Sequence, residues 1–219
     1  MSLLDHITIT PARPLPVILM ADISGSMAAD GKIDALNSAI AEMLDAFAEE
    51  DAGRTEIQVA VVTFGGVARL HVPLTRAKDL SWAPMRASGQ TPMGAALELV
   101  ASLLEDRNSL PHRAYRPTVV LVSDGIPTDE WRTPLRGLLS SERAAKAQRF
   151  ALGVGADADR DVLQAFLDNP TGRVFAAHEA REIAKFFQWV TVTVTHRSRS
   201  VQPNRVDIDP LELDDYGEF

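Results

Sequence analysis

Apolar and polar positions along this chain switch repeatedly between two periods. Residues 17–21, Val-Ile-Leu-Met-Ala, are an unbroken apolar run, the form of a parallel strand covered on both faces. After a Ser-Gly turn, Ile33, Leu36, Ile40, Met43, Leu44 and Phe47 recur at helical spacing. Residues 57–64 and 67–72, separated by Gly65-Gly66, read as a hairpin. Pro92 opens a second helix, with Met93, Leu97, Val100 and Leu104 on one face. Residues 118–122 predict another buried strand, followed by a charged helical stretch to about Gln148. A strand over 150–154, a helix over 161–167 and a short strand over 174–176 come next. A closing helix over 180–194 buries Ile183, Phe186, Phe187 and Val190.

Strands that alternate with helices, with one hairpin among them, predict an α/β fold. It is a three-layer, doubly wound, mostly parallel sheet of Rossmann-like type with one antiparallel edge hairpin strand. In such sheets ligands sit beyond the carboxyl ends of the strands, where strand order reverses. The chemistry-bearing residues fall at those ends. Asp22-Ile-Ser24-Gly-Ser26 follows the first apolar run and sets one carboxylate and two hydroxyls at alternate positions of a turn. Asp124-Gly125 ends the run at 118–122, and Thr91 stands just ahead of the second helix. These are hard oxygen ligands. Magnesium takes about six oxygens in octahedral geometry and usually keeps several waters. Asp22, Ser24, Ser26, Thr91 and Asp124 are therefore the candidate metal residues, with magnesium as the expected ion and manganese or calcium as alternatives. Each piece also has a plainer reading. Asp, Ser and Gly serve turns through local hydrogen bonds, and Thr91 could be a helix N-cap.

Composition narrows the field. The 219 residues are 46% apolar and 24% charged, which suits an ordinary globular domain. A net charge of −8 argues against nucleic-acid backbones and anionic membranes as partners. The absence of cysteine excludes disulfides, zinc thiolates and thiol catalysis. No run reaches the roughly 20 apolar residues of a membrane span, and the first residues predict no signal peptide. Cytoplasmic residence is the expectation. His6, His71, His112, His178 and His196 are dispersed, and no phosphate loop or nucleophile elbow is present. Gly153-Val-Gly155 lacks the third glycine of a dinucleotide fingerprint, and Trp82, Trp131 and Trp189 are too scattered for a stacking platform. The last residues carry Asp207, Asp209, Glu212, Asp214, Asp215 and Glu218 against a lone Arg205, which reads as a mobile acidic tail.

The Asp-x-Ser-x-Ser, Thr and strand-terminal Asp-Gly set resembles the metal-ion-dependent adhesion site of von Willebrand factor A (VWA) domains. The resemblance runs over about 15–195, with 1–14 as an N-terminal extension and 196–219 as the acidic tail. Three segments resemble the bacterial tellurium-resistance, TerY-like branch: Asp22-Ile-Ser-Gly-Ser-Met27, Thr91-Pro-Met-Gly-Ala-Ala-Leu97 and the stretch from Tyr115 through Asp124 to Trp131. The resemblance implies a non-enzymatic protein-interaction module. Its cation, held by the five residues above, would bind a carboxylate from a partner's Asp or Glu. It also implies work in a cytosolic stress-response complex, with Ter-domain proteins, a protein kinase or a 2C-type phosphatase as company. In the family the last helix can shift with site occupancy. The rival expectations are a magnesium-dependent phosphoryl-transfer enzyme and a metal-free scaffold. The first usually needs a second carboxylate where Ser24 stands.

Overall fold

A computed structural model describes residues 12–50 and 55–206. Along the chain these form β1 (Arg13–Asp22), α1 (Lys32–Glu49), β2 (Thr55–Gly65), β3 (Val67–Arg76) and α2 (Met93–Glu105). Then follow β4 (Thr118–Ser123), α3 (Arg132–Ser140), β5 (Gln148–Val154), α4 (Arg160–Leu167), β6 (Val174–Ala177) and α5 (Ala180–Arg199). The strands make one six-stranded sheet in the order β3-β2-β1-β4-β5-β6. Every pairing is parallel except the β2–β3 hairpin, so the predicted doubly wound sheet with its antiparallel edge strand is the fold observed.

The continuous apolar runs follow from coverage on both faces. In β1 the side chains of Leu15, Val17, Leu19 and Ala21 join the core with Leu36, Ile40, Met43 and Phe47 of α1 and Ile183, Phe187, Val190 and Val194 of α5. The alternate residues Ile18 and Met20 join the opposite core, with Leu97, Val100 and Leu104 of α2, Leu135 and Leu138 of α3 and Phe166 of α4. Such aliphatic side chains contribute roughly 1.5–3 kcal/mol each when fully buried. At the far edge Trp189 of α5 meets Phe150 and Phe175 edge-on or tilted, with ring centroids 4.4 and 4.7 Å apart, so this tryptophan is a core residue.

Several boundaries differ from the sequence reading, each for a physical reason. β1 starts four residues before Val17, although Pro14 and Pro16 lie within it. The β4 ladder begins only at Val17, so both prolines fall where the strand has a partner on one side alone. The charged stretch expected to be helical to about Gln148 is mostly not helix: it is a loop from Asp124, the nine-residue α3 and a 3-10 turn at Ala144–Lys146. α2 begins at Met93, one residue after Pro92. α5 continues past Val194 to Arg199, and within that last turn Arg197 is fully buried, bonded to Thr118, Arg116 and Pro203. The acidic residues from Asp207 onward, and most of the N-terminal extension, lie outside the described residues.

Candidate metal centre

Strand order reverses between β1 and β4, with α1 leaving β1 on one face and α2 packed on the other. Ala21 pairs with Val122, which sets Asp22 level with Ser123 at the carboxyl edge. The Ser123 hydroxyl donates to Asp22 Oδ2 at 2.6 Å, and the Ser24 backbone N–H donates to Oδ1 at 2.8 Å. Asp22 is thus fixed through both oxygens, with no exposure to solvent. Burial drives its pKa above the ordinary carboxylate value; the Ser123 and Ser24 bonds oppose that rise, and the Asp124 charge adds to it.

From Asp22 the oxygens continue as a chain. The hydroxyls of Ser24 and Ser26 lie 3.0 Å apart, and the Ser26 hydroxyl donates to Asp124 Oδ1 at 2.7 Å. Asp124, immediately after β4, is 1% exposed, although 102 positions separate it from Asp22. The other Asp124 oxygen, Oδ2, accepts from Lys32 Nζ at 2.8 Å.

Thr91 reaches the same place on a loop without regular structure, held from three sides. Ser88 N–H donates to Ile23 O at 2.7 Å, Gly25 N–H to Gly89 O at 2.9 Å and Gly66 N–H to Gln90 O at 2.8 Å. Gly89 has φ of 79°, and a Cβ there would press on the Gly66 backbone, so both conformation and space call for glycine. Thr91 N–H donates to Thr128 Oγ1 at 3.1 Å, while Thr91 O accepts from Thr128 N–H at 2.9 Å. Thr91 is therefore not the side-chain N-cap of α2. That service comes from Asp129, whose carboxylate accepts from Gly94 and Ala95 N–H at 2.8 and 2.9 Å. Gly94 permits the approach, since a Cβ there would overlap the Glu130 carbonyl oxygen. A Cβ placed on Gly125 would sit 3.8 Å from Thr91 Oγ1 and 3.9 Å from Ser26 Oγ, so both hydroxyls border the Asp124-Gly125 corner.

All five sequence-predicted residues therefore meet at one corner of the sheet. Adjacent oxygens around an ion bonded at ~2.0–2.1 Å in octahedral geometry lie about 2.9 Å apart. The 3.0 Å and 2.7 Å separations around Ser26 are ordinary O–H···O hydrogen-bond lengths that also fall near such edges. An ion replacing these bonds would need little movement of the oxygens. Among the described residues, no three His, Cys, Asp or Glu side chains cluster as a metal site, so a cation here would rely on the hydroxyls. The donor set, all oxygen with two carboxylates, fits a small hard dication and suits soft metals poorly. Sequence reasoning missed Lys32, Ser123 and Asp129. Lys32 carried a usable signal, because a cation in the first turn of a helix opposes the helix dipole and calls for a carboxylate nearby.

Residues 17–189 match the family model of the von Willebrand factor type A domain. An uncharacterised protein of Mycobacterium tuberculosis, Rv2850c, is 34% identical over 140 residues, which are 59% of this chain and 21% of that protein. The chain thus spans about a fifth of that relative's length. Among solved structures, proximal thread matrix protein 1 from the mussel byssus, with a zinc-occupied MIDAS motif, superposes with a TM-score of 0.65. It is 17% identical, over 82% of this chain and 48% of that one. The von Willebrand factor type A structure from Catenulispora acidiphila gives a TM-score of 0.64 at 21% identity, covering 87% and 43%. The ArnB paralog VWA2 from Sulfolobus acidocaldarius gives 0.57 at 17%, covering 86% and 46%. At these identities the structural likeness is one of fold.

Proposed function

This chain belongs to the von Willebrand factor type A domain family, and from that premise we propose that it is a non-enzymatic protein-interaction module of the adhesion-site type. Asp22, Ser24, Ser26, Thr91 and Asp124 would hold a divalent cation, with magnesium the preferred ion. The cation supplies an electrophilic position that a partner's Asp or Glu carboxylate can occupy. The rest of the work belongs to the protein. Ser123 and the Ser24 backbone fix the Asp22 carboxylate, Ser26 orients Asp124, and the loop at 88–91 is pinned so that Thr91 keeps its place. The observation that carries the reading is the bonded chain Ser24–Ser26–Asp124, whose spacing suits oxygens sharing one ion. VWA domains are generally non-catalytic interaction modules, and Ser24 stands where a phosphoryl-transfer enzyme would need a second carboxylate.

The finer assignment rests on sequence. The TerY-like segments around Asp22, Thr91 and Asp124 support cytoplasmic work in a stress-response complex, with a partner that presents an Asp or Glu and with Ter-domain proteins, a protein kinase or a 2C-type phosphatase as company. No helix among the described residues is long and apolar enough to cross a membrane. Calorimetric titration with Mg²⁺ tests the site. Wild-type protein should bind one ion and lose it to chelator, and Ser26→Ala should weaken binding by about tenfold, ~1.4 kcal/mol. Equal affinity in wild type and Ser26→Ala would sink the reading. Phosphatase turnover that depends on Mg²⁺ and vanishes in Asp22→Asn would replace it with the enzymatic one.

A further inference from the structure

The Lys32 ammonium occupies a costly position. Lys32 is the first residue of α1, where the helix dipole disfavours a cation, and its side chain is only 17% exposed. It reaches across to the end of β4 and bonds Asp124 Oδ2 at 2.8 Å, on the oxygen that Ser26 leaves free. Space for it comes from the end of β5: a Cβ on Gly155 would stand 3.1 Å from Lys32 Nζ. Asp124 is thus divided between two tasks. One oxygen faces the hydroxyl cluster, and the other is neutralised by a tethered ammonium.

We propose that Lys32 is an internal counter-cation of the oxygen cluster that weakens divalent binding and strengthens capture of the partner's carboxylate. The inference rests on the cation site proposed above and assigns its tuning residue. Two buried carboxylates and one ammonium leave the cluster with a single negative charge. A dication then brings the site to net positive, and an outside carboxylate completes the neutralisation. Without Lys32, Asp22 and Asp124 alone would balance the ion, leaving little electrostatic demand for a partner. The ammonium also holds Asp124 in place before any ion arrives, so the docking corner keeps its shape between binding events.

The test uses the full chain, with Lys32→Met and the polar Lys32→Gln, and Lys32→Arg as the charge-conserving control. Mg²⁺ affinity is measured by calorimetry at several fixed concentrations of acetate, the carboxylate probe. Circular dichroism confirms folding. In wild type, acetate should tighten apparent Mg²⁺ affinity, because two ligands that favour each other's binding do so reciprocally. Both neutral variants should bind Mg²⁺ about tenfold more tightly without acetate and show at least a threefold smaller acetate effect, and Lys32→Arg should stay near wild type. Unchanged or weaker Mg²⁺ binding in whichever neutral variant folds overturns the Lys32 assignment alone. Absence of Mg²⁺ binding in wild type overturns the cation site and the Lys32 assignment together.

Discussion

The two ends of β4 carry buried polar clusters of opposite design. At its start, Arg197 of α5 is fully buried and donates to Thr118 Oγ1 at 2.5 Å, Arg116 O at 2.6 Å and Pro203 O at 3.0 Å. There the protein places its own cation in a cradle of oxygens. At the other end Ser123, Asp124, Asp22, Ser24 and Ser26 bring oxygen against oxygen, with Lys32 covering one side. A guanidinium with planar, fixed donors locks helix α5 to the sheet. The proposed cation site, by contrast, gathers oxygens that are bonded mainly to one another and to Lys32. On the proposed reading the first end serves stability and the second serves binding, and substitutions should separate the two.

The largest effect is expected at the closed end. Arg197→Met strips donors from a buried and a part-buried carbonyl oxygen and from the buried Thr118 hydroxyl, and should lower unfolding free energy by about 3 kcal/mol or more. Denaturant titration measures the loss, and Mg²⁺ affinity of the folded fraction should not change. At the open end the pattern inverts. Asp22→Ala should cut Mg²⁺ affinity at least ~100-fold, about 2.7 kcal/mol. Metal-free stability should change little, because relief of the buried charge offsets the Ser123 and Ser24 donors left unpaired. A large stability loss in Asp22→Ala would erase the contrast.

Two smaller perturbations sharpen it. Gly94→Ala pushes the Asp129–Glu130 backbone away from α2, removing a remote cap worth ~1 kcal/mol and displacing Thr128 from Thr91. Stability and Mg²⁺ affinity should both drop, the latter by several-fold, since Thr91 is held by the same loop. The smallest effect is electrostatic. Glu50, at the end of α1, accepts from Arg199 and Ser198 at the end of α5, and the Arg199 bonds hold its pKa below the ordinary 4.5. A carboxylate depressed in the folded state contributes stability above its unfolded value and loses it as pH falls through the folded one. Wild type should therefore lose Tm more steeply than Glu50→Gln below about pH 4.5, with Mg²⁺ binding indifferent to the substitution.

The strands were the most legible elements, because runs such as 17–21 and 118–122 have no polar face to mislead. The helices α1, α2 and α5 declared themselves through apolar spacing. The loops did not. The charged stretch up to about Gln148 reads as helical, yet its first part is a loop that serves as a clasp, in which Thr128 and Asp129 bond backbone groups of the Thr91 loop and α2. Such bonds are long-range and leave no period in the sequence. Arg197 was equally hidden, since an arginine near a helix end ordinarily reads as solvent-facing.

By itself the sequence determined the layered sheet and the placing of Asp22 and Asp124 at strand ends, because hydrophobic period and strand termination are local properties. It also supplied the oxygen residues that converge beside them. Only the tertiary structure decided how those oxygens are divided: Ser123 on Asp22, Ser26 on one oxygen of Asp124 and Lys32 on the other. Hydrogen-bond partnership depends on distances of about 3 Å between atoms, and strand order, which no single segment encodes, sets those distances.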